Sequence, residues 1–150
     1  MKAVVTRVNS ASVSIDGSVC GRIGKGFLIL LGIAPDDTPE KCRKLAEKIL
    51  GLRVFRDEND KMNLSIKDID GSILSISQFT LYADSKKGNR PSFINAMKPD
   101  EASKLYDYFN QELSKYIEVN TGIFGSDMKV EIYNDGPVTI ILDSDELFKK

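Results

Sequence analysis

Histidine is absent from the 150 residues. That absence excludes Ser-His-Asp and Cys-His arrangements, HExxH zinc sites and every imidazole proton shuttle, so a hydrolase built on this chain works another way. Cysteine is scarce: only Cys20 and Cys42 occur. They have no CxxC spacing, which argues against a zinc knuckle or a redox motif, and one pair is weak support for a disulfide scaffold. Both are expected to be ordinary, partly buried thiols. No apolar run approaches the roughly 18 residues that a membrane span requires. Met1-Lys2-Ala3-Val4-Val5 leads directly into a strand pattern rather than a signal peptide, so a soluble, cytoplasmic protein without membrane partners is the simplest expectation. Charge of one sign is not in excess either, the net value being −1. That balance argues against broad coating of nucleic acid, which needs many Lys and Arg contacts to phosphate, but leaves room for a local basic patch. No repeat, linker or low-complexity segment interrupts the chain. One domain over residues 1–150 is expected from the length.

Residues 2–8 are rich in β-branched side chains, and Val13 to Ile15, Asp16-Gly17 and Ser18 to Cys20 read as a hairpin with a two-residue turn. Gly26 to Ile33 is an apolar run bounded by glycine, the pattern of a strand covered on both faces. Thr38-Pro39-Glu40 supplies an N-cap, a proline at the first helical position and an early acid. Cys42, Leu45, Ala46, Ile49 and Leu50 then follow at helical spacing, predicting an amphipathic helix that ends near Gly51. Val54-Phe55 and Met62 to Ile66 flank a polar tip and predict a second hairpin. Its acids Asp57, Glu58 and Asp60 have no metal-ligand spacing. Ile73 to Leu81 reads as another central strand.

The polar, basic segment Asp84 to Pro91 predicts a surface loop. A second helix opens around Pro99-Asp100-Glu101, with Ala102, Leu105, Phe109, Leu113 and Tyr116 as its inner stripe. Met128, Val130 and Ile132 alternate with polar residues in a half-exposed strand. The turn Asn134-Asp135-Gly136-Pro137 and a last strand, Val138 to Leu142, complete the pattern. The charged tail Asp143 to Lys150 is expected to fray. Together these elements predict an α+β fold: a curved, mainly antiparallel sheet or barrel-like β core with two main helices packed on one side.

Ser77-Gln78-Phe79-Thr80 sets two hydroxyls and an amide at the end of an apolar strand, either to carry chemistry or to cap a turn. Lys86, Lys87 and Arg90 form either a solvated loop or a phosphate-binding patch. Gly136-Pro137, taken alone, says only that the chain turns.

In order and approximate spacing, Ser77-Gln78-Phe79-Thr80, Gly88-Asn89-Arg90-Pro91-Ser92-Phe93 and Asn134-Asp135-Gly136-Pro137-Val138-Thr139 resemble the D-aminoacyl-tRNA deacylase family. Arg7-Val8, Ala11-Ser12-Val13, Gly24 to Leu31, Lys61 to Leu64 and Leu105 to Phe109 extend the likeness from Met1 to about Leu142. The resemblance implies hydrolysis of the ester of D-aminoacyl-tRNA, and of glycyl-tRNA, by a homodimer with active sites at the subunit interface and with neither cofactor nor metal. A cis Gly136-Pro137 peptide would enter the partner's site and reject L-aminoacyl groups, braced by Arg7. The alternative for Arg7 is the exposed face of an edge strand. Ser77, Gln78, Phe79 and Thr80 would form the catalytic segment, with Thr80 either a nucleophile or, in the favoured reading, a lining group beside a water activated by the ribose 2′-OH. Phe79, Ala102, Phe124 and Met128 would hold the terminal adenosine, or be plain core. Lys86, Lys87 and Arg90 would meet acceptor-end phosphates. Two other classes remain open: a non-catalytic RNA-end or nucleotide-binding module, and a structural dimerisation domain.

Overall fold

The computed structural model describes residues 1–149. Strand β1, Lys2–Ile15, runs without a break through both segments of the N-terminal pattern. It turns at Asp16 and Gly17, with φ of 49° and 82°, into β2, Ser18–Ile23. Two consecutive positive φ values match the twist of a tight hairpin, which is why Asp-Gly stands there. β3, Gly26–Gly32, pairs antiparallel with β1. Helix α1, Pro39–Gly51, begins where the Thr38 side chain accepts the Lys41 N–H, and its apolar stripe is buried as its spacing requires. The short strands β4, Phe55–Arg56, and β5, Met62–Leu64, form the second hairpin. β6, Ser72–Ser77, leads into a single 3₁₀ turn, Phe79–Tyr82, so the predicted strand stops short of Leu81. Helix α2 is Pro99–Ser114, β7 is Glu118–Thr121, β8 is Lys129–Asp143, and a last helical turn, α3, is Ser144–Leu147.

The main sheet has the order β2-β1-β3-β6-β7, with β8 on the other side of β1. Antiparallel pairings join β1 to β2, β3 and β8, whereas β3–β6 and β6–β7 are parallel. The far edges approach each other: Asn120 Nδ2 donates to the Arg22 carbonyl at 3.3 Å. The result is a nearly closed mixed barrel. Residue alternation along β3 explains its continuous hydrophobicity. Phe27, Ile29 and Leu31 join the core beneath α1 and α2, and Leu28 joins a second cluster with Val8, Val13, Leu74 and Ile76. The parallel β3–β6 contact depends on Gly26, where a Cβ would fall 1.7 Å from the Ser72 carbonyl oxygen.

Three expectations change, and one strand is new. Asn134 to Pro137 is not a turn between two strands but a bulge inside β8. Thr6 pairs Thr139 while Val8 pairs Asn134, so the segment between projects from a ladder that continues on either side. Tyr116 lies beyond α2 and is 60 % exposed, while Tyr106 is buried; α2 ends at Ser114, two residues before the end of the periodic pattern. β7, short and mostly polar, has no clear pattern in the sequence. The tail is docked rather than frayed: Ser144 is buried, its N–H bonds the Met1 carbonyl, and Phe148 packs on the main core. Lys150, the end of the predicted tail, lies outside the described residues.

Candidate active site

The parallel strands β3 and β6 end side by side, and a cavity of roughly 690 Å³ opens there. Open sheets bind ligands at this end because strand termini leave backbone groups and loops free to converge. The ladder runs one step past β6, with the Gln78 N–H on the Leu31 carbonyl at 2.8 Å, before the chain bends into the 3₁₀ turn. That turn uses the Leu81 N–H to bond the Gln78 carbonyl. The N–H groups of Phe79 and Thr80 open it and have no acceptor within it. Ser77, Gln78 and Phe79 line the cavity. Thr80 is exposed and stands outside the lining, its hydroxyl accepting from Gln78 Nε2.

The remaining wall is apolar. Phe79, Ala102, Phe124 and Met128, four positions scattered along the sequence, all line this one cavity together with Leu31 and Ile76. Ala102 is buried on the first turn of α2, and Phe124 packs its ring 6.0 Å from that of Tyr106. Lys86, Lys87 and Arg90 lie on the exposed loop beyond the 3₁₀ turn and do not line the cavity. The loop is pinned at its base by reciprocal backbone bonds of 2.8 Å between Asp84 and Ser92.

Gly136 and Pro137 do not line it either. They project from the bulge in β8, joined by a cis peptide bond, and Gly136 has φ 127°, a region closed to most L residues. Arg7 is 1 % exposed, which removes the edge-strand alternative: β1 is interior, between β8 and β3. Its Nη1 donates to the Val54 carbonyl at 2.6 Å and its Nε to the Asp135 carbonyl at 3.1 Å. The Asp135 carboxylate, 3.2 Å from the same Nε, supplies a counter-charge that a buried guanidinium requires. A Cβ on Gly136 would stand 3.1 Å from Arg7 Nη2.

A family model, D-Tyr-tRNA(Tyr) deacylase, matches residues 4–143. The chain belongs to this family. Its activity is therefore the hydrolysis of D-aminoacyl-tRNA, and tRNA is its substrate. A solved structure described as a c-Myc DNA unwinding element binding protein is similar at 44 % identity and TM-score 0.90, over 95 % of this chain and 98 % of its own. A probable eukaryotic D-amino acid tRNA deacylase is similar at 17 % identity and TM-score 0.81, over 94 % and 97 %; at that identity the likeness concerns the fold.

Sequence reasoning missed part of this deacylase site. Ile33, Phe93, Ile94, Met97 and Lys98 also line the cavity. The one signal for them was the apolar pair Phe93-Ile94 inside an otherwise polar stretch. Asp135 as partner of Arg7 was missed because the two lie 128 positions apart. The cysteines differ from expectation: Cys20 is exposed and Cys42 fully buried. Burial, reinforced by the Asp37 carboxylate, pushes the Cys42 thiol up to about 12. Among the described residues no three His, Cys, Asp or Glu side chains are grouped to hold a metal ion, and no helix is long and apolar enough to cross a membrane.

Proposed function

We propose that the protein proofreads chirality, clearing D-aminoacyl and glycyl esters from tRNA in the cytoplasm as a homodimer whose subunits complete each other's sites, each chain acting as one deacylase unit over residues 1–150. The terminal adenosine enters the apolar cavity between Phe79, Ala102, Phe124 and Met128, which places the ester beside Ser77 to Thr80. Water adds to the ester carbonyl carbon, with the ribose 2′-OH of the substrate taking part in its activation. The resulting oxyanion is held by the N–H groups of Phe79 and Thr80, which have no acceptor within the 3₁₀ turn, and by the Gln78 side-chain amide; donors fixed by the fold need little rearrangement during the reaction. The C–O bond to the ribose 3′ oxygen then breaks, and that oxygen leaves with the proton given up by water. Ser77 fixes the strand end. Thr80 stands beside the site without attacking: its hydroxyl is tied to Gln78 and lies outside the cavity wall, and no histidine exists to deprotonate it.

The observation that carries this reading is the separation of two devices within one chain. The cavity holds the adenosine and oxyanion groups, while Gly136-Pro137, braced by buried Arg7, projects elsewhere. Such a projection is useful in a neighbour's site. There its carbonyl oxygens pin the α-ammonium of the bound aminoacyl group, and with ammonium and ester both fixed, main chain crowds the position that an L side chain would take. Exposed Ile132, Tyr133 and Ile141 along β8 provide apolar surface for the partner subunit. Lys86, Lys87 and Arg90 meet the acceptor-end phosphates.

The test is hydrolysis of matched D- and L-tyrosyl-tRNA, with glycyl-tRNA as a third substrate. Release from the D and glycyl forms with the L form spared is the expected result; equal release from D and L would overturn the chirality mechanism. A second reading, a nucleic-acid-binding module without turnover, draws on the description of the 44 % identical neighbour as a DNA-element binding protein. It predicts binding with no ester cleavage in the same assay.

A further inference from the structure

The segment 84–98 differs in character from the rest of the chain. It has four cations, Lys86, Lys87, Arg90 and Lys98, against one carboxylate, Asp84, in a protein whose net charge is −1. None of the four cations is in an ion pair among the described residues. The carboxylate is engaged locally, accepting the Lys86 N–H at 3.0 Å. In the same segment Ile94 is 81 % exposed and Phe93 39 % exposed, although both touch the cavity. Phe93 meets Phe79 edge to face, ring centroids 5.0 Å apart, so the apolar wall of the cavity continues outward over its rim to Ile94. An apolar ledge flanked by unpaired cations at the mouth of a pocket is the composition that binds single-stranded nucleic acid: bases lie on the ledge and phosphates meet the cations.

We propose that this ledge is a second nucleotide subsite. It receives the base that precedes the terminal adenosine, packed on Ile94 and the outer edge of Phe93, with Lys98 facing the phosphate that links the two nucleotides. The inference rests on the adenosine reading of the cavity and extends it. With one base inside the cavity, the next emerges at the rim, where the sole large exposed apolar side chains of the segment stand. The subsite has no bearing on chirality, since it lies on the ribose-phosphate side of the ester. It makes the enzyme sensitive to whether the aminoacyl group is attached to a single-stranded 3′ end, because a base paired in a duplex cannot lie on Ile94.

The experiment compares kcat/KM for three D-tyrosyl esters: on adenosine alone, on the cytidylyl-adenosine dinucleotide, and on intact tRNA. In the native protein the added nucleotide should raise kcat/KM about tenfold, the scale of one base packed on a side-chain platform. Ile94→Ser and Lys98→Gln should each cut that dinucleotide-to-adenosine ratio severalfold. A native ratio near one overturns the subsite, as does a variant that loses activity equally on both short esters, which would place its effect in the adenosine cavity or in folding. Failure of the native protein to cleave any of the three esters defeats the proposed function itself, a different outcome. Sedimentation of Ile94→Ser should show an unaltered oligomer; a shift in assembly would mean that a second copy covers the ledge and would overturn the proposal.

Discussion

Replacing Arg7 with lysine should destabilise the protein and loosen chiral selection together. The guanidinium spans two carbonyls at once, Val54 at 2.6 Å and Asp135 at 3.1 Å, while 1 % exposed. It therefore ties the start of the β4–β5 hairpin to the bulge that presents Gly136. Lysine keeps the charge but is a point donor and cannot hold both acceptors through one planar group. Losing one hydrogen bond from a charged donor costs about 1.5–3 kcal/mol. For a chain of this length, each kcal/mol moves the melting temperature by roughly 2–4 °C. Urea unfolding should accordingly show a lower midpoint with an unchanged slope, since the surface exposed on unfolding stays the same. Asp135→Asn is the companion variant: it removes the carboxylate 3.2 Å from Nε but leaves the backbone bond, so the bulge stays placed. Hydrolysis of L-tyrosyl-tRNA should rise in Arg7→Lys and much less in Asp135→Asn. An Arg7→Lys variant that melts within a degree of the native protein and spares the L substrate as fully would refute this role for Arg7.

Thr80→Ala should retain near-native single-turnover hydrolysis, because its hydroxyl is tied to Gln78 outside the cavity wall; a loss of several orders of magnitude in kcat would restore it as nucleophile. Ala102→Leu puts new side-chain volume into the cavity from the first turn of α2 and should raise KM about tenfold, some 1.4 kcal/mol of lost binding, with little change in melting temperature; an unaltered KM would remove adenosine from that wall. Changing Lys86, Lys87 and Arg90 together to Gln should flatten the salt dependence of tRNA binding by up to about 3 in log–log slope and leave the D-to-L preference intact, whereas an unchanged slope would dissociate the loop from phosphate. With its thiol held near 12 by burial, Cys42 stays protonated and shielded at pH 8, so iodoacetamide followed by mass spectrometry should modify exposed Cys20 alone until the protein is unfolded; rapid labelling of Cys42 in native buffer would contradict the packing of α1 on α2.

Local signals were legible wherever the physics was local. The Asp16-Gly17 turn, the Thr38-Pro39 helix start and the buried stripe of α1 follow from backbone preference and side-chain period within a dozen residues, and each stands in the structure as its spacing requires. The candidate site was legible only in pieces. Ser77 to Thr80 could be placed at a strand end, but the sequence holds no information on which distant side chains share its cavity, and Phe124 and Met128 read equally well as core. Phe93 was part of the Gly88 to Phe93 signature but had no assigned role, and Ile94 and Lys98 escaped because a loop carries no period from which to infer a face.

What the sequence alone determined is therefore most of the elements, with β7 and α3 as exceptions, the absence of imidazole chemistry and the segments able to carry a site. Tertiary structure decided the rest. The parallel β3–β6 and β6–β7 pairings, the interior place of β1 and the docking of Ser144 on the N-terminal strand all join residues far apart in the chain. So does the Arg7–Asp135 tie, on which the presentation of Gly136-Pro137 depends. Such contacts form where sheet closure leaves an unsatisfied carbonyl, a buried charge or an uncovered apolar surface, and those needs arise from the assembled fold rather than from any neighbouring stretch of residues.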